Sequence, residues 1–264
     1  MHVTVQGGYH RKGCPMAGEN ANSQPRNRLL QLLPKSLETR VIRDCELMHL
    51  DVKHILYEPN KPIRDIYFPV NGVVSLIATM DNGMEVEVAT TGNEGMLGIP
   101  VFLGTDQTPL KAFSQVPGDA LRLPVSDFRK YVEDEPELVR ILHRFAEALM
   151  MQISQSTACN RAHPIEQRCC RWLLMTHDRT GRAEFTLTQE FLAQMLGVRR
   201  ATVGEVASGL QEAKLIQYSR GLIKILNRRG LEKRSCGCYF VIRDEYERLL
   251  SSRGPELVRR RMQI

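Results

Sequence analysis

Apolar and polar positions change rhythm several times along this chain, and each change predicts a different kind of element. Short amphipathic helices are expected over Arg28 to Leu33 and Ser36 to Leu50. From Asp51 to Pro124 the rhythm shortens to alternation. It is punctuated by Glu58-Pro59-Asn60-Lys61-Pro62, Asn71-Gly72, Asp81-Asn82-Gly83, Thr91-Gly92-Asn93, Gly104-Thr105-Asp106 and Pro117-Gly118-Asp119. Turn signals about every ten residues predict an all-β sandwich or barrel of the jelly-roll kind. Ile66 to Val70, Val73 to Thr79 and Glu85 to Thr90 are the clearest strands, with Asp81-Asn82-Gly83 as a hairpin turn between the last two.

Helical spacing returns near Val125. From Glu137 the residues Leu138, Leu142, Phe145, Leu149, Ile153 and Ser156 recur at intervals of three and four, without a proline until Pro164. Such a narrow stripe could pack on the β domain. Ile141, Ala148 and Met151 widen it, and a second contact, a dimer seam, is the favoured reading. A further helix is expected over Ile165 to Thr176, with Trp172-Leu173-Leu174 as core, and then a loop over Asp178 to Ala183.

The segment Thr188 to Leu210 is written as a helix-turn-helix. Ala193 is small where two helices must approach, and Gly197 sits where the turn needs a positive φ. Leu192, Leu196, Val198, Val203, Val206 and Leu210 make the apolar face. Arg199, Arg200, Thr202 and Glu205 are left for a groove of DNA. Ile216 to Tyr218 and Leu222 to Leu226 flank Ser219-Arg220-Gly221, a hairpin with a basic tip in the position of a wing. Asn227 caps a short helix to Lys233, and another helix runs from Arg243 to Ser251.

Charge sharpens this picture. The net charge of +6 is split: residues 161–264 carry 20 Lys/Arg against 11 Asp/Glu, whereas residues 1–160 carry 16 against 19. The excess of positive charge thus coincides with the helix-turn-helix, as binding to a polyanion requires. The expected organisation is a disordered tail (1–27), a β jelly roll (28–135), a dimerisation helix (136–162), a winged helix-turn-helix (163–251) and a basic tail (252–264). No apolar run is long enough to span a bilayer and no signal core is visible, so no membrane partner and a cytoplasmic location are expected.

The seven cysteines are odd in number and irregularly spaced, which favours reduced thiols. Cys236-Gly-Cys238 is too short for a zinc knuckle and has no second pair or His-rich cluster nearby, so a buried structural pair is expected there, and no metal. Cys14 stands alone in its segment, so an N-terminal iron–sulfur ligand set is absent. An alternative input is oxidation or ligation of Cys159, Cys169 and Cys170 near the hinge between domains. Catalytic residues are not expected: GxSxG, P-loop and HExxH patterns are absent, and the barrel segment offers only His54, with His49 just before it.

A barrel, a long helix, a helix-turn-helix and a wing, in that order over roughly residues 30–250, resemble the Crp/Fnr superfamily of bacterial transcription regulators. The residues that carry the resemblance are Gly72-Val73-Val74 and Gly92 to Gly98 in the barrel. In the DNA module they are Leu192-Ala193, Leu196-Gly197-Val198, Arg200, Thr202-Val203 and Leu215-Ile216. The resemblance implies an α+β fold, a homodimer formed through the long helix (Leu138, Leu142, Phe145, Leu149, Ile153) and double-stranded DNA as partner. It further implies RNA polymerase as a partner. Thr188, Gln189, Arg199, Arg220 and Lys224 would hold the DNA backbone, while Arg200, Ala201, Thr202 and Glu205 would face the bases. Well-known relatives bind a cyclic nucleotide through a Gly-Glu pair and a later Arg-Ser pair. Here Ile99 follows Gly98, and Leu110-Lys111-Ala112 stands where the arginine belongs, so cyclic AMP is not expected as a cofactor.

Overall fold

The computed structural model describes residues 27–251. The two expected tails, with Cys14, lie outside them apart from Asn27. A 3-10 turn (Leu30–Leu32) and helix α1 (Lys35–Asp44) lead into strands β1 (Glu46–Leu50), β2 (Ile55–Tyr57), β3 (Asp65–Pro69), β4 (Val73–Thr79) and β5 (Glu85–Thr91). A short helix α2 (Ile99–Phe102) precedes β6 (Lys111–Val116) and β7 (Gly118–Pro124). All pairings are antiparallel, in sheets of order β1-β7-β3 and β2-β6-β4-β5. Ile66, Phe68, Ala120, Leu121 and Leu123 of the first sheet and Val74, Leu76 and Ala112 of the second are buried in the core. The jelly-roll reading of residues 51–124 therefore stands.

The helix expected over Ser36 to Leu50 is corrected. It stops at Asp44, and Glu46–Leu50 pairs with β7 from Glu46↔Arg122 to Leu50↔Gly118. Within those five residues Met48 and Leu50 turn inward while Leu47 stays 54% exposed, a period of two that a fifteen-residue helical window conceals.

Helix α3 (Val125–Asp134) is followed by the long helix α4 (Pro136–Ala162), and here the structure redirects the dimer reading. Leu138, Leu142, Phe145 and Leu149 are buried within one chain, as are Ile141 and Ala148; Ile153 is half-buried. α4 packs on β5, on α3 and on the C-terminal helix α9 (Cys238–Leu249), so its wide apolar surface is consumed by three neighbours of its own chain. Gly95 shows how close this packing is: a Cβ there would stand 2.2 Å from Phe145 Cε2. The face left to solvent carries Arg140, His143, Glu147, Met150, Ser154, Thr157 and Arg161, with Val139 and Ala146 half-buried along it.

The C-terminal module starts with α5 (Ile165–Thr180), four residues longer than expected and closed by Gly181. It continues through β8 (Glu184–Thr186), α6 (Gln189–Leu196), α7 (Arg200–Glu212), β9 (Ile216–Ser219), β10 (Leu222–Ile225) and α8 (Arg228–Arg234). Its sheet has the order β8-β10-β9. β8 lies just beyond the expected loop and is too short to show a period. α9 begins at Cys238 instead of Arg243, so the Cys-Gly-Cys sequence sits at its start. No helix among the described residues is long and apolar enough to cross a membrane.

Candidate nucleic-acid interface

The helix-turn-helix is set by local chemistry. Thr188 caps α6, its hydroxyl accepting the Phe191 N–H at 3.2 Å. Gly197 ends α6 at φ 64, and a Cβ at this position would meet nothing within 4 Å; the requirement is therefore for the left-handed backbone and not for space. Val198 N–H then returns to Ala193 O at 3.0 Å, turning the chain into α7. Ala193, Leu196, Val203, Ala207 and Leu210 fill the joint between the two helices.

What remains outside is a charged surface. Arg199, which precedes α7, and Arg200, Ala201 and Glu205 on it are exposed, and Thr202 is half-buried. The wing is a two-residue hairpin in which Arg220 (φ 51) and Gly221 (φ 77) both take positive φ, with Ser219 paired to Leu222. Arg220 and Lys224 are exposed. A Cβ on Gly221 would lie 3.5 Å from Thr188 Cγ2, and Gln189 Oε1 lies 3.9 Å from the corresponding point on Gly204 of α7. Thr188 and Gln189 therefore lie between the wing tip and α7. None of Arg199, Arg200, Arg220 or Lys224 takes an ion pair among the described residues.

The opposite side of α6 is docked on the barrel. Phe191 meets Phe113 edge to face at 5.7 Å, Met195 Sδ lies 3.8 Å from Ser75 Oγ, and Gln194 donates to Glu85. Lys111 belongs to this docking face: it pairs with Glu85 at 3.2 Å and lies over the Phe113 ring. The one point charge near the place of the missing arginine is thus already engaged beside α6. Gly98 (φ 105) abuts Ile66 of the other sheet, Ile99 and Leu110 are half-buried, and Ala112 is fully buried.

Two polar clusters lock the docking. Arg179 of α5 donates to Glu94 Oε1, Thr90 Oγ1 and Gln152 Oε1, each at 2.7 Å, and Gln152 in turn donates to Thr90 O at 3.0 Å. One guanidinium thereby joins barrel, long helix and DNA module, with both ion-pair side chains only 7% exposed. Gly92 leaves room for it, since a Cβ there would be 2.6 Å from Arg179 Cβ. Beside this pair lies a cleft of about 400 Å³, lined by Arg28, Arg228, Tyr239, Arg243 and Tyr246 among others.

Glu87 forms the second cluster. Its Oε1 accepts from Trp172 Nε1 at 3.0 Å, and its Oε2 lies 2.8 Å from Ser75 Oγ, which is 2.7 Å from Gln115 Oε1. Burial of the carboxyl raises its pKa from 4.5 to about 7, opposed by its bonds to Ser75 and Trp172. Between pH 4.5 and 7 the folded protein holds a proton that the unfolded chain releases, so this contribution is full below 4.5 and fades as pH rises to 7. Glu87→Gln is expected to flatten the pH dependence of thermal stability across that window. At pH 7.5 it should stabilise the protein by about 1–2 kcal/mol, as followed by calorimetry.

The cysteines divide into two sets. Cys169 and Cys170 are buried in α5, and burial pushes both thiols up, Cys170 to about 12, which makes them poor nucleophiles. Cys159 instead sits 3.4 Å from Cys236, Sγ to Sγ, with Cys238 and His163 beside them. The expectation that Cys236 and Cys238 have no second pair nearby is corrected. Their companions come from the end of α4, 77 residues away. Cys159 in the last turn of α4 and His163 just after its end, four residues apart, were the available signal.

A β roll of two antiparallel sheets, joined by one long helix to an exposed winged helix-turn-helix, defines a two-domain DNA-binding regulator. Family models agree with each part. Residues 47–135 match the cyclic nucleotide-binding domain and residues 167–234 match the Crp-like helix-turn-helix domain, which together make up more than half of the chain. The chain belongs to the Crp/Fnr superfamily and is a Crp/Fnr-type transcription regulator with a DNA-binding helix-turn-helix. Curated relatives include the global nitrogen regulators of Synechococcus elongatus and Synechocystis. The first is 21% identical over 65% of this chain and 82% of its own length, the second 21% identical over 75% and 87%. Among solved structures, FixK2 from Bradyrhizobium japonicum aligns with a TM-score of 0.62 at 15% identity, covering 73% of this chain and 98% of its own. A transcriptional regulator of the CRP family from Thermus thermophilus aligns at 0.61 and 16% identity, covering 71% and 96%.

Proposed function

We propose that this regulator acts in the cytoplasm as a homodimer on pseudo-palindromic double-stranded DNA, with no catalytic activity of its own and RNA polymerase as a further partner. One observation carries the reading: α6 is docked on the barrel through one side, while Arg199, Arg200, Glu205 and the Arg220 wing tip stay exposed. In a dimer, two such surfaces would meet major grooves about 34–36 Å apart. The exposed face of α4, from Val139 through His143, Ala146 and Met150 to Thr157, is the surface open to the second copy.

Arg200 reads guanine through a bidentate contact in this proposal, with Ala201 and Glu205 facing neighbouring base pairs. Arg200→Ala should weaken binding to the preferred site about 10- to 100-fold and relax specificity at one base pair, measured by anisotropy at fixed salt. Unchanged selectivity would reject this reading.

Cyclic AMP is not the effector in this proposal. The engagement of Lys111 by Glu85 and the close approach of Gly98 to Ile66 support this. Calorimetric titration with cyclic AMP and cyclic GMP should give no heat in the micromolar range, and micromolar binding of either would overturn it.

A further inference from the structure

The cluster at the junction of α4 and α9 is too specific to be ordinary packing. Cys159, Cys236 and Cys238 are at most 4% exposed and form a small core of their own, separate from the main hydrophobic core. His163, which ends α4, turns Nδ1 to within 3.5 Å of Cys238 Sγ, and the four candidate ligand atoms all lie within 4.8 Å of one another. Zinc–sulfur bonds of about 2.3 Å and zinc–nitrogen bonds of about 2.0–2.1 Å make tetrahedral edges of roughly 3.8 Å between sulfurs and 3.6 Å between sulfur and nitrogen. The observed 3.4 Å from Cys159 to Cys236 and 3.5 Å from Cys238 to His163 fall beside those values.

We propose that Cys159, His163, Cys236 and Cys238 bind one zinc ion in a closed tetrahedral site that fastens the start of α9 to the end of α4. Three thiolates and a neutral imidazole suit a soft, four-coordinate divalent ion. A polynuclear iron–sulfur cluster would hold its ligands further apart, because the iron–iron edges intervene. The surroundings fit as well. Gln155 Nε2 donates to Cys238 Sγ at 3.1 Å, orienting a ligand from the next turn of α4. Arg168 and Arg171 lie close enough for their charges to bear on Cys159, offsetting the net negative charge of three thiolates around a divalent cation. With all four positions filled by protein the site is structural: it sets the angle between the long helix and the DNA module.

The test uses the full chain purified without chelator. Elemental analysis should find about one zinc per chain, and X-ray absorption at the zinc edge should show three sulfur neighbours and one nitrogen. Cys238→Ser and His163→Ala should each lose most of the metal, whereas Cys45→Ser, elsewhere in the fold, should keep it. Gln155→Leu leaves every ligand in place and should weaken zinc retention about 10- to 100-fold in competition with a chromophoric chelator. Three results would overturn the proposal: metal-free protein that does not take up zinc, iron with inorganic sulfide in place of zinc, or a Cys159–Cys236 disulfide in the purified protein. The absorption measurement on the parent chain decides even if a ligand variant does not fold.

Discussion

Replacing Arg179 with Met is expected to destabilise the protein by about 3–5 kcal/mol. The cause is what remains behind. Glu94 is buried with one oxygen, Oε2, already without a partner, and its Oε1 depends on Arg179 and the Gly92 N–H. Without the guanidinium that carboxylate is a buried, uncompensated charge, and Gln152 Oε1 and Thr90 Oγ1 lose their donor. The double variant Glu94→Gln/Arg179→Met should recover a large part of the loss, because the isolated charge is then gone. Denaturant titration of the two single variants and the double variant measures the coupling. Additive losses would show that the pair does not act as a unit.

Phe145→Ala is expected to cost about 3–5 kcal/mol through the cavity it opens beneath Gly95 and Thr91. This separates the two possible uses of α4. If Phe145 sat in a dimer seam, its removal would lower subunit affinity and leave the folded monomer intact. The structure assigns it to the core of one chain, so the loss should be of folding, at every protein concentration. Met150→Asp makes the converse test. Met150 is 67% exposed, so the substitution should leave melting of the chain nearly unchanged while splitting the proposed dimer in analytical ultracentrifugation.

The contrast between these residues explains what could be read from the sequence. The β roll, the helix-turn-helix and the wing are legible because they rest on local requirements. Gly197 and the Arg220-Gly221 turn need positive φ, and Thr188 needs to cap. The stripe on α4 was equally visible, but its periodicity records only that a face is buried and not which chain buries it. The missed parts join distant residues. Glu94 and Arg179 are 85 positions apart, Glu87 and Trp172 likewise, and neither pair leaves a periodic trace. At Cys236 and Cys238 the local spacing pointed away from a metal, because half of the donor set lies on another helix.

Docking of α6 and α5 on the β4–β5–β6 face also limits how this chain can be taken apart. Trp172, Phe191 and Met195 are buried by that contact, and a fragment cut at Pro164 to isolate the DNA module would lay them bare together. Such a fragment would carry a greasy, self-associating flank beside its reading head. The recognition helix therefore cannot be transplanted as a free-standing part: the barrel acts as its foundation whether or not it receives a signal.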